Sequence, residues 1–438
     1  MLPAAALALV FLMPSRAGAQ QWIENRSYAE GIGIKLGSAM VFHPGLGVEA
    51  GYDSNVFYSE SGLIGSARLR IVPSVALATL PPQRLELAEG GLTGKKPSVD
   101  FRLGIAGIYE DWFGKSTYLE KRRDFGINTD LFLTIFPYGK FRLKIYDDFT
   151  RTIRPPNEAM PENYTVDHNT AGLGFLIVPG EALETGLDYR YTLNMYELSW
   201  LRPAGNYHKH DIEANLKWKF LPKTAFVFKG VVTPYMRWSD QLVTGGYTFP
   251  LSNSINLAAS IGLVGLFTPR FGVAASIGYG AAFFGRGDDF DSIIASAELR
   301  FFVTPMSAIR LGFIRDIQPS YFTNYYERNE GYLGYEQLIV GRVLLSAKFR
   351  LGYWKYAKLY DSTGESDAFT QNPRSDWPVI SATGFAEYRI TDWIAINATL
   401  VFTMAKTDCE LASTVTPGGF IPESYTKFEV FGGVRAMY

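Results

Sequence analysis

Along most of this chain polar and apolar residues alternate with a period of two. That is the period of a β-strand, whose successive side chains point to opposite faces. In "HDIEANLKWKF", residues 210–220, Ile212, Ala214, Leu216, Trp218 and Phe220 share one face, and Asp211, Glu213, Asn215, Lys217 and Lys219 share the other. The pattern returns in "FGINTDLFLTI", where Phe125, Ile127, Leu131, Leu133 and Ile135 oppose Asn128, Asp130 and Thr134. It returns again in "KFRLKIY", residues 140–146, where Phe141, Leu143 and Ile145 oppose Arg142 and Lys144, and in "WIAINATLVF", where Ile394, Ile396, Ala398, Leu400 and Phe402 oppose Asn397 and Thr399.

The connections alternate in length. Tight ones carry Pro, Gly or Asp: "PYGK" at 137–140, "VPGE" at 178–181, "LPK" at 221–223, "TPR" at 268–270, "TPM" at 304–306 and "TD" at 391–392. A further turn, without Gly or Pro, is placed near Leu345 and Ser346, and a long connection at 81–98. Longer polar loops are expected at 154–163, 197–206, 239–249, 323–331, 361–377 and 408–423. Short turns on one side and long loops on the other are the arrangement of an outer-membrane barrel. The fold expected is an all-β, transmembrane, antiparallel up-and-down β-barrel of about 18 strands, or about 16 if one hairpin is lost. An even count closes the sheet with both termini on one side, and closure matters because an open edge in lipid leaves backbone groups unpaired.

Composition agrees. Aromatic residues make up 15% of the chain and there are 43 glycines, which suits many strands and turns. Net charge is −1, so no global field points to nucleic acid. The single cysteine, Cys409, cannot form an internal disulfide. Residues 1–19 read as a signal peptide, with the apolar run "LPAAALALVFLM" and "AGA" before Gln20, although the basic segment expected ahead of that run is missing. Residues 20–43 read as a periplasmic lead, and 44–438 as the barrel in an outer membrane. The last strand, "TKFEVFGGVRAMY", alternates to the final aromatic Tyr438, which resembles the terminal strand read by the barrel-assembly machinery.

If the apolar faces meet lipid, the opposite faces line a pore. The charged candidates are Arg102, Arg122, Asp124, Asp130, Arg142, Lys144, Glu184, Asp188, Arg190, Asp211, Glu213, Lys217, Lys229, Glu298, Arg300, Arg350, Glu387, Arg389, Glu429 and Arg435. Both signs are present, so the wall is polar without a single-sign ring. Aromatic residues gather at strand ends and are expected to form interface girdles: Tyr52, Phe57 and Tyr58; Tyr109, Trp112 and Phe113; Tyr196 and Trp200; Tyr235 and Trp238; Tyr321, Phe322, Tyr325 and Tyr326; Tyr353, Trp354 and Tyr356.

Little points to catalysis. "HKH", His208 to His210, lacks an evident third metal ligand. No G-x-S-x-G elbow occurs. The pair Asp211 and Glu213 is the kind of carboxylate pair that a strand face produces without a catalytic purpose. No catalytic residue, metal or cofactor is assigned.

"LGVEAGYDSNVF", residues 46–57, resembles the first strand of the beta-barrel porin 2 family of outer-membrane proteins. The residues that carry the resemblance are Tyr52, Asp53, Asn55, Val56 and Phe57. The resemblance implies a barrel that completes the exit path of a secreted or capsular polysaccharide, with periplasmic polysaccharide export and synthesis proteins as partners. A general or small-solute diffusion porin is the alternative, and an outer-membrane enzyme acting on lipid or glycan is the second. On the sequence alone Asp53 and Asn55 face the interior, where they either meet a passing polymer or tie the rim together.

Overall fold

The fold is seen in a computed structural model that describes residues 31–37, 39–60, 62–80, 97–114, 119, 124–152, 165–197, 205–244, 247–320, 323–358, 374–408 and 424–438. The signal segment, Arg122, Trp200, Tyr321, Phe322 and Cys409 lie outside those residues. The strands are β1 (Ile34–Leu36), β2 (Met40–Asp53), β3 (Ser66–Thr79), β4 (Val99–Phe113), β5 (Asp124–Ile135), β6 (Phe141–Thr152), β7 (Val166–Ile177), β8 (Leu183–Tyr196), β9 (Tyr207–Leu221), β10 (Thr224–Arg237), β11 (Gln241–Thr244), β12 (Tyr247–Pro250), β13 (Ser254–Thr268), β14 (Phe271–Phe284), β15 (Phe290–Thr304), β16 (Ser307–Pro319), β17 (Tyr325–Ile339), β18 (Val343–Tyr356), β19 (Ser375–Arg389), β20 (Ile394–Thr407) and β21 (Tyr425–Met437).

Each long strand pairs antiparallel with the next. β10 pairs with β13, because β11 and β12 form a separate small hairpin within a loop. β21 pairs with β2 from Gly45 opposite Met437 to Asp53 opposite Glu429. The ring is therefore closed by 18 long strands, with the short β1 added beside β2. The 16-strand alternative is excluded: the connection at 80–98 and the turn after β17 each separate two paired strands. β2 begins at Met40, inside the segment read from sequence as lead.

The tight turns fall where Pro, Gly and Asp placed them, with one correction. The turn near Leu345 and Ser346 lies instead at Val340–Arg342, where Arg342 N donates to Ile339 O at 3.0 Å. Gly341 has φ 67° there, a conformation that glycine adopts without strain. The sequence hides this turn because "LIVGRVLL" is apolar on both sides and only Gly341 and Arg342 break the run.

A second correction concerns the loop expected at 323–331, since β17 already begins at Tyr325. "YYERNEG" reads as a loop because both its faces are polar. In the barrel the outward Glu327 and Asn329 bond Arg315 of β16, at 3.1 and 3.2 Å. The strand is long enough to run past the apolar band, and beyond it no face needs to be greasy.

The outer surface is apolar all around the ring. Val48, Ile105, Leu187, Ile212, Ile261, Ile277, Leu311 and Val434 are each exposed on it. A water-soluble chain does not leave such a continuous belt uncovered. Each long strand is paired on both sides with its neighbours round the ring, which is how an apolar medium requires backbone groups to be satisfied. Among the described residues no helix is long and apolar enough to cross a membrane; the crossing elements are strands.

Candidate functional site: the barrel interior

The inward faces divide into two unlike sectors. The first lies at the seam where the chain ends meet. Alternation turns Glu49 and Asp53 of β2, Arg68 and Arg70 of β3, Glu110 of β4, and Lys427 and Glu429 of β21 to the inside, and all seven are buried. Arg68 sits at their centre, 2.6 Å from Glu110, 2.9 Å from Glu429 and 3.3 Å from Asp53. Lys427 lies 2.8 Å from Asp53, and Arg70 lies 2.6 Å from Glu49. The planar guanidinium of Arg68 lies 3.9 Å from the Trp112 ring centre, and that of Arg70 lies 3.7 Å from the Phe431 ring centre. Only Arg combines a forked donor with a flat stacking face, so lysine would not serve equally at either position.

The stretch carrying the family resemblance forms the outer edge of this sector. Tyr52 points outward and Asp53 inward. Asn55 Nδ2 donates to Ser59 O at 2.8 Å and to Thr426 O at 3.1 Å, and its Oδ1 accepts from Ser59 N at 3.0 Å. Asn55 thus closes a turn of its own loop and fastens it to β21. Val56 is buried with Trp112 and Leu119, and Phe57 packs against them. Of the two roles left open for Asp53 and Asn55, tying the rim together is what these bonds do.

The packing at the seam continues inward. Val72, Ala106, Leu344 and Phe385 form one buried apolar cluster, with Ile108 and Leu338 against it. These residues belong to β3 and β4 on one side and β17, β18 and β19 on the other. In the sheet those groups are separated by β20, β21 and β2. Inner side chains of two stretches of wall therefore meet across the interior. Glu387 of β19 is ion-paired with Arg435 of β21 in the same region.

The second sector is open. Arg102, Arg190, Lys229, Arg300, Arg310 and Glu336 keep between 26 and 38% of their side-chain surface accessible. Their ion pairs run across neighbouring strands: Arg102 to Asp130 at 3.4 Å, Arg190 to Asp211 at 3.1 Å, Lys229 to Glu213 at 2.7 Å, Arg310 to Glu336 at 2.8 Å. Arg300 bonds Glu298 on its own strand at 2.9 Å, and Tyr332 donates to Glu298 at 2.8 Å. Tyr146 donates to Asp188 at 2.6 Å. Between the charged groups, the middle of β13 and β14 turns small residues inward, Ala258, Ser260, Gly262, Ala274, Ser276 and Gly278, which leaves room at the wall.

The sequence candidates sort accordingly. Glu387, Glu429 and Arg435 belong to the packed sector. Arg102, Asp130, Asp188, Arg190, Asp211, Glu213, Lys229, Glu298 and Arg300 form the open network; Arg350 approaches Glu330 at 3.9 Å and Arg389 approaches Glu387 at 3.8 Å. Arg142 donates to Gly139 O at 3.2 Å. Lys144, Lys217 and Glu184 stand on inward positions without an ion pair to another described residue. Asp124 opens β5 opposite Glu110. Arg68, Arg70, Arg237, Arg310, Asp316 and Arg328 are interior charges that the sequence reading did not single out. The signal for the first two was present, since Ser66, Arg68 and Arg70 alternate with Ala67, Leu69 and Ile71.

The girdle expectation holds for only part of its aromatics. Tyr52, Tyr109, Phe113, Trp238 and Tyr353 face outward and are exposed. Trp112, Tyr196, Tyr235, Tyr326, Trp354 and Tyr356 are instead buried on the inside. Parity decides this: Trp112 is one residue from Phe113, and Trp354 is one from Tyr353, so one of each pair must point in. Tyr326 lies 5.4 Å from Trp354 and 5.2 Å from Tyr356, ring centre to ring centre. His208 and His210 stand on outward positions, where His210 Nδ1 is 2.7 Å from Tyr189 Oη. Among the described residues no group of three or more His, Cys, Asp and Glu could hold a metal ion.

A closed antiparallel ring with an apolar exterior and a charged interior defines a transmembrane β-barrel of the outer-membrane class. The chain is similar in structure to the outer membrane protein OpdK from Pseudomonas aeruginosa, with 9% identity over 91% of this chain and 99% of that one, at a TM-score of 0.46. It is also similar to OccAB4 from Acinetobacter baumannii (9% identity, 91% and 98% covered, TM-score 0.43) and to OccK2 (OpdF) from Pseudomonas aeruginosa (10% identity, 90% and 97% covered, TM-score 0.45). No family model and no curated protein matches the chain.

Proposed function

We propose that the barrel is a passive diffusion channel for small solutes, with its path along the open sector from β4 round to β17. The observation that carries this reading is the division of the interior. Packed charges and apolar contacts fill the seam side, while hydrated, mutually paired charges line the remainder. A wide hydrated polymer would need the whole bore, and the contacts of Val72 and Ala106 with Leu344 and Phe385 cross it. Polysaccharide export, the role implied by the resemblance at residues 52–57, is therefore not the reading adopted. No enzymatic step is assigned to the interior.

The purified protein, inserted alone into a planar bilayer, is expected to give discrete and lasting conductance steps. Because cations and anions of the open wall pair with one another, ion selectivity should be weak, with a reversal potential near zero across a KCl gradient. A folded, inserted barrel without steps would overturn the channel reading. Deletion of the gene should leave surface polysaccharide unchanged; its loss would return the export role to first place.

A further inference from the structure

The rim of the open sector carries a feature that neither the alternation nor the resemblance accounts for. On β10 the inward series runs through Lys229, Thr233 and Tyr235 to Arg237, and the last three are buried. The guanidinium of Arg237 does not bond along its own wall alone. Its Nη2 donates to Ser320 O at 2.6 Å, to Thr323 O at 3.1 Å and to Asn324 O at 3.2 Å. Those carbonyls belong to the connection between β16 and β17. In the ring, β13, β14 and β15 stand between β10 and β16. Ser320, Thr323 and Asn324 thus reach back across the outer ends of three strands to the inward-facing Arg237.

Two further contacts fix it there. Ser252 N donates to Asn324 Oδ1 at 3.0 Å, and Asn324 Nδ2 donates to Arg286 O at 2.8 Å. Thr323 N also donates to Ser320 Oγ at 3.3 Å. The rims ahead of β13, between β14 and β15, and between β16 and β17 are joined at Asn324. Backbone carbonyls gathered around a guanidinium make strong, charge-assisted bonds, and a buried cation that lost them would be costly. These bonds hold Ser320, Thr323 and Asn324 in place from three sides.

Resting on the channel reading above, we infer that Arg237 determines the size limit for solutes, by holding Ser320, Thr323 and Asn324 inward over the outer end of the open sector. The residue acts through position and not through contact with the solute. Replacement by alanine removes all three bonds and releases the connection toward the rim. Replacement by lysine keeps the charge but offers no planar fork to three carbonyls.

The test compares wild type, Arg237→Ala, Arg237→Lys and Asn324→Ala, each as the full barrel with folding checked by its heat-dependent migration in gels. Single-channel conductance should rise roughly twofold in Arg237→Ala, less in Asn324→Ala, with Arg237→Lys behaving like the alanine variant. Liposome swelling should extend to larger neutral sugars in the same order. Neutral sugars separate a wider mouth from a changed charge. Should Arg237→Ala fail to fold, Asn324→Ala carries the test, since it leaves the guanidinium in place. Folded variants with the wild-type conductance and sugar cutoff would overturn the assignment, as would a lysine variant that behaves like wild type. A wild-type barrel that does not conduct would remove the channel reading, and this inference with it.

Discussion

Arg68→Ala is expected to destabilise the folded barrel by about 3–5 kcal/mol, the usual cost of removing one partner from a buried ionic network. Arg68 is fully buried and stands between three carboxylates. Its loss leaves Glu110 and Glu429 facing each other without the cation between them. Lys427 answers Asp53 at 2.8 Å but is 3.9 Å from Glu429, and Arg70 is 4.0 Å from Glu110. Neither can move in without giving up its own contact. The effect should be large because Asp53, Glu110 and Glu429 are all buried, so their charges are left without solvent to replace the cation. The comparison is Arg190→Ala, whose pair with Asp211 has a side chain 30% accessible on the Arg side. Asp211 is buried, with 6% of its side chain accessible, but it keeps Lys209 at 3.2 Å and Thr233 at 2.6 Å when Arg190 is lost, so the cost should stay at about 1 kcal/mol. Urea titration of both variants in lipid vesicles, read by the gel shift between folded and unfolded forms, measures the difference. Equal midpoints would show that the seam network does not hold the ring closed.

The same network explains how the closure finds its register. Lys427 and Glu429 of the last strand meet Asp53 of the first and Arg68 of the second. A shift of β21 by two residues would take Glu429 from its place opposite Asp53 and set Phe431 opposite Glu49 or Asp53, according to its direction. Alternation alone cannot specify this, because a two-residue slip keeps every apolar side chain outside. Buried charges fix registers in other contexts by the same cost of mismatch. The seam is also one of the shorter ladders, with nine positions paired between β2 and β21 against fourteen between β2 and β3. The charged lock adds side-chain contacts to a short ladder.

How far the sequence could be read follows from these particulars. β9 was legible residue by residue because its whole length crosses the apolar belt, so one face had to be greasy. β17 was not, since its first turns lie above the belt and "ERNE" is polar on both faces. Trp112 and Trp354 were assigned outward because aromatics at strand ends suggest a girdle; parity relative to Phe113 and Tyr353 was the better guide. The interior was legible as a set of charged positions but not as two sectors. That division depends on which walls touch, and the contact between Val72 and the β17–β19 group joins residues hundreds of positions apart. Arg237 was not singled out in the sequence at all, and only its bonds to Ser320, Thr323 and Asn324, far along the chain, give it a part.

Ile277→Arg is expected to cost about 2–4 kcal/mol of barrel stability, the depth-dependent penalty for a cation on the lipid face near the bilayer midplane. Ile277 is the seventh residue of β14, which runs from Phe271 to Phe284, and it projects from the belt with 57% of its surface exposed. Its outward neighbours across the ladder are Ile261 and Ala295. Neither offers a charge or a hydrogen bond, so the guanidinium must thin the bilayer or drag water in. Ala274→Arg, three residues away on the same strand, tests the opposite face. Ala274 lies beside Glu298 in the ladder, in the open sector. An arginine there stays hydrated and gains a carboxylate, so its stability cost should remain below about 1 kcal/mol while conductance falls. The pair distinguishes a membrane barrel from any soluble closed sheet, in which both substitutions would be tolerated on the wet side and neither would depend on lipid. Vesicle refolding at graded urea, with bilayers of two thicknesses, reads the penalty directly. An Ile277→Arg barrel as stable as wild type would mean that this face does not meet hydrocarbon.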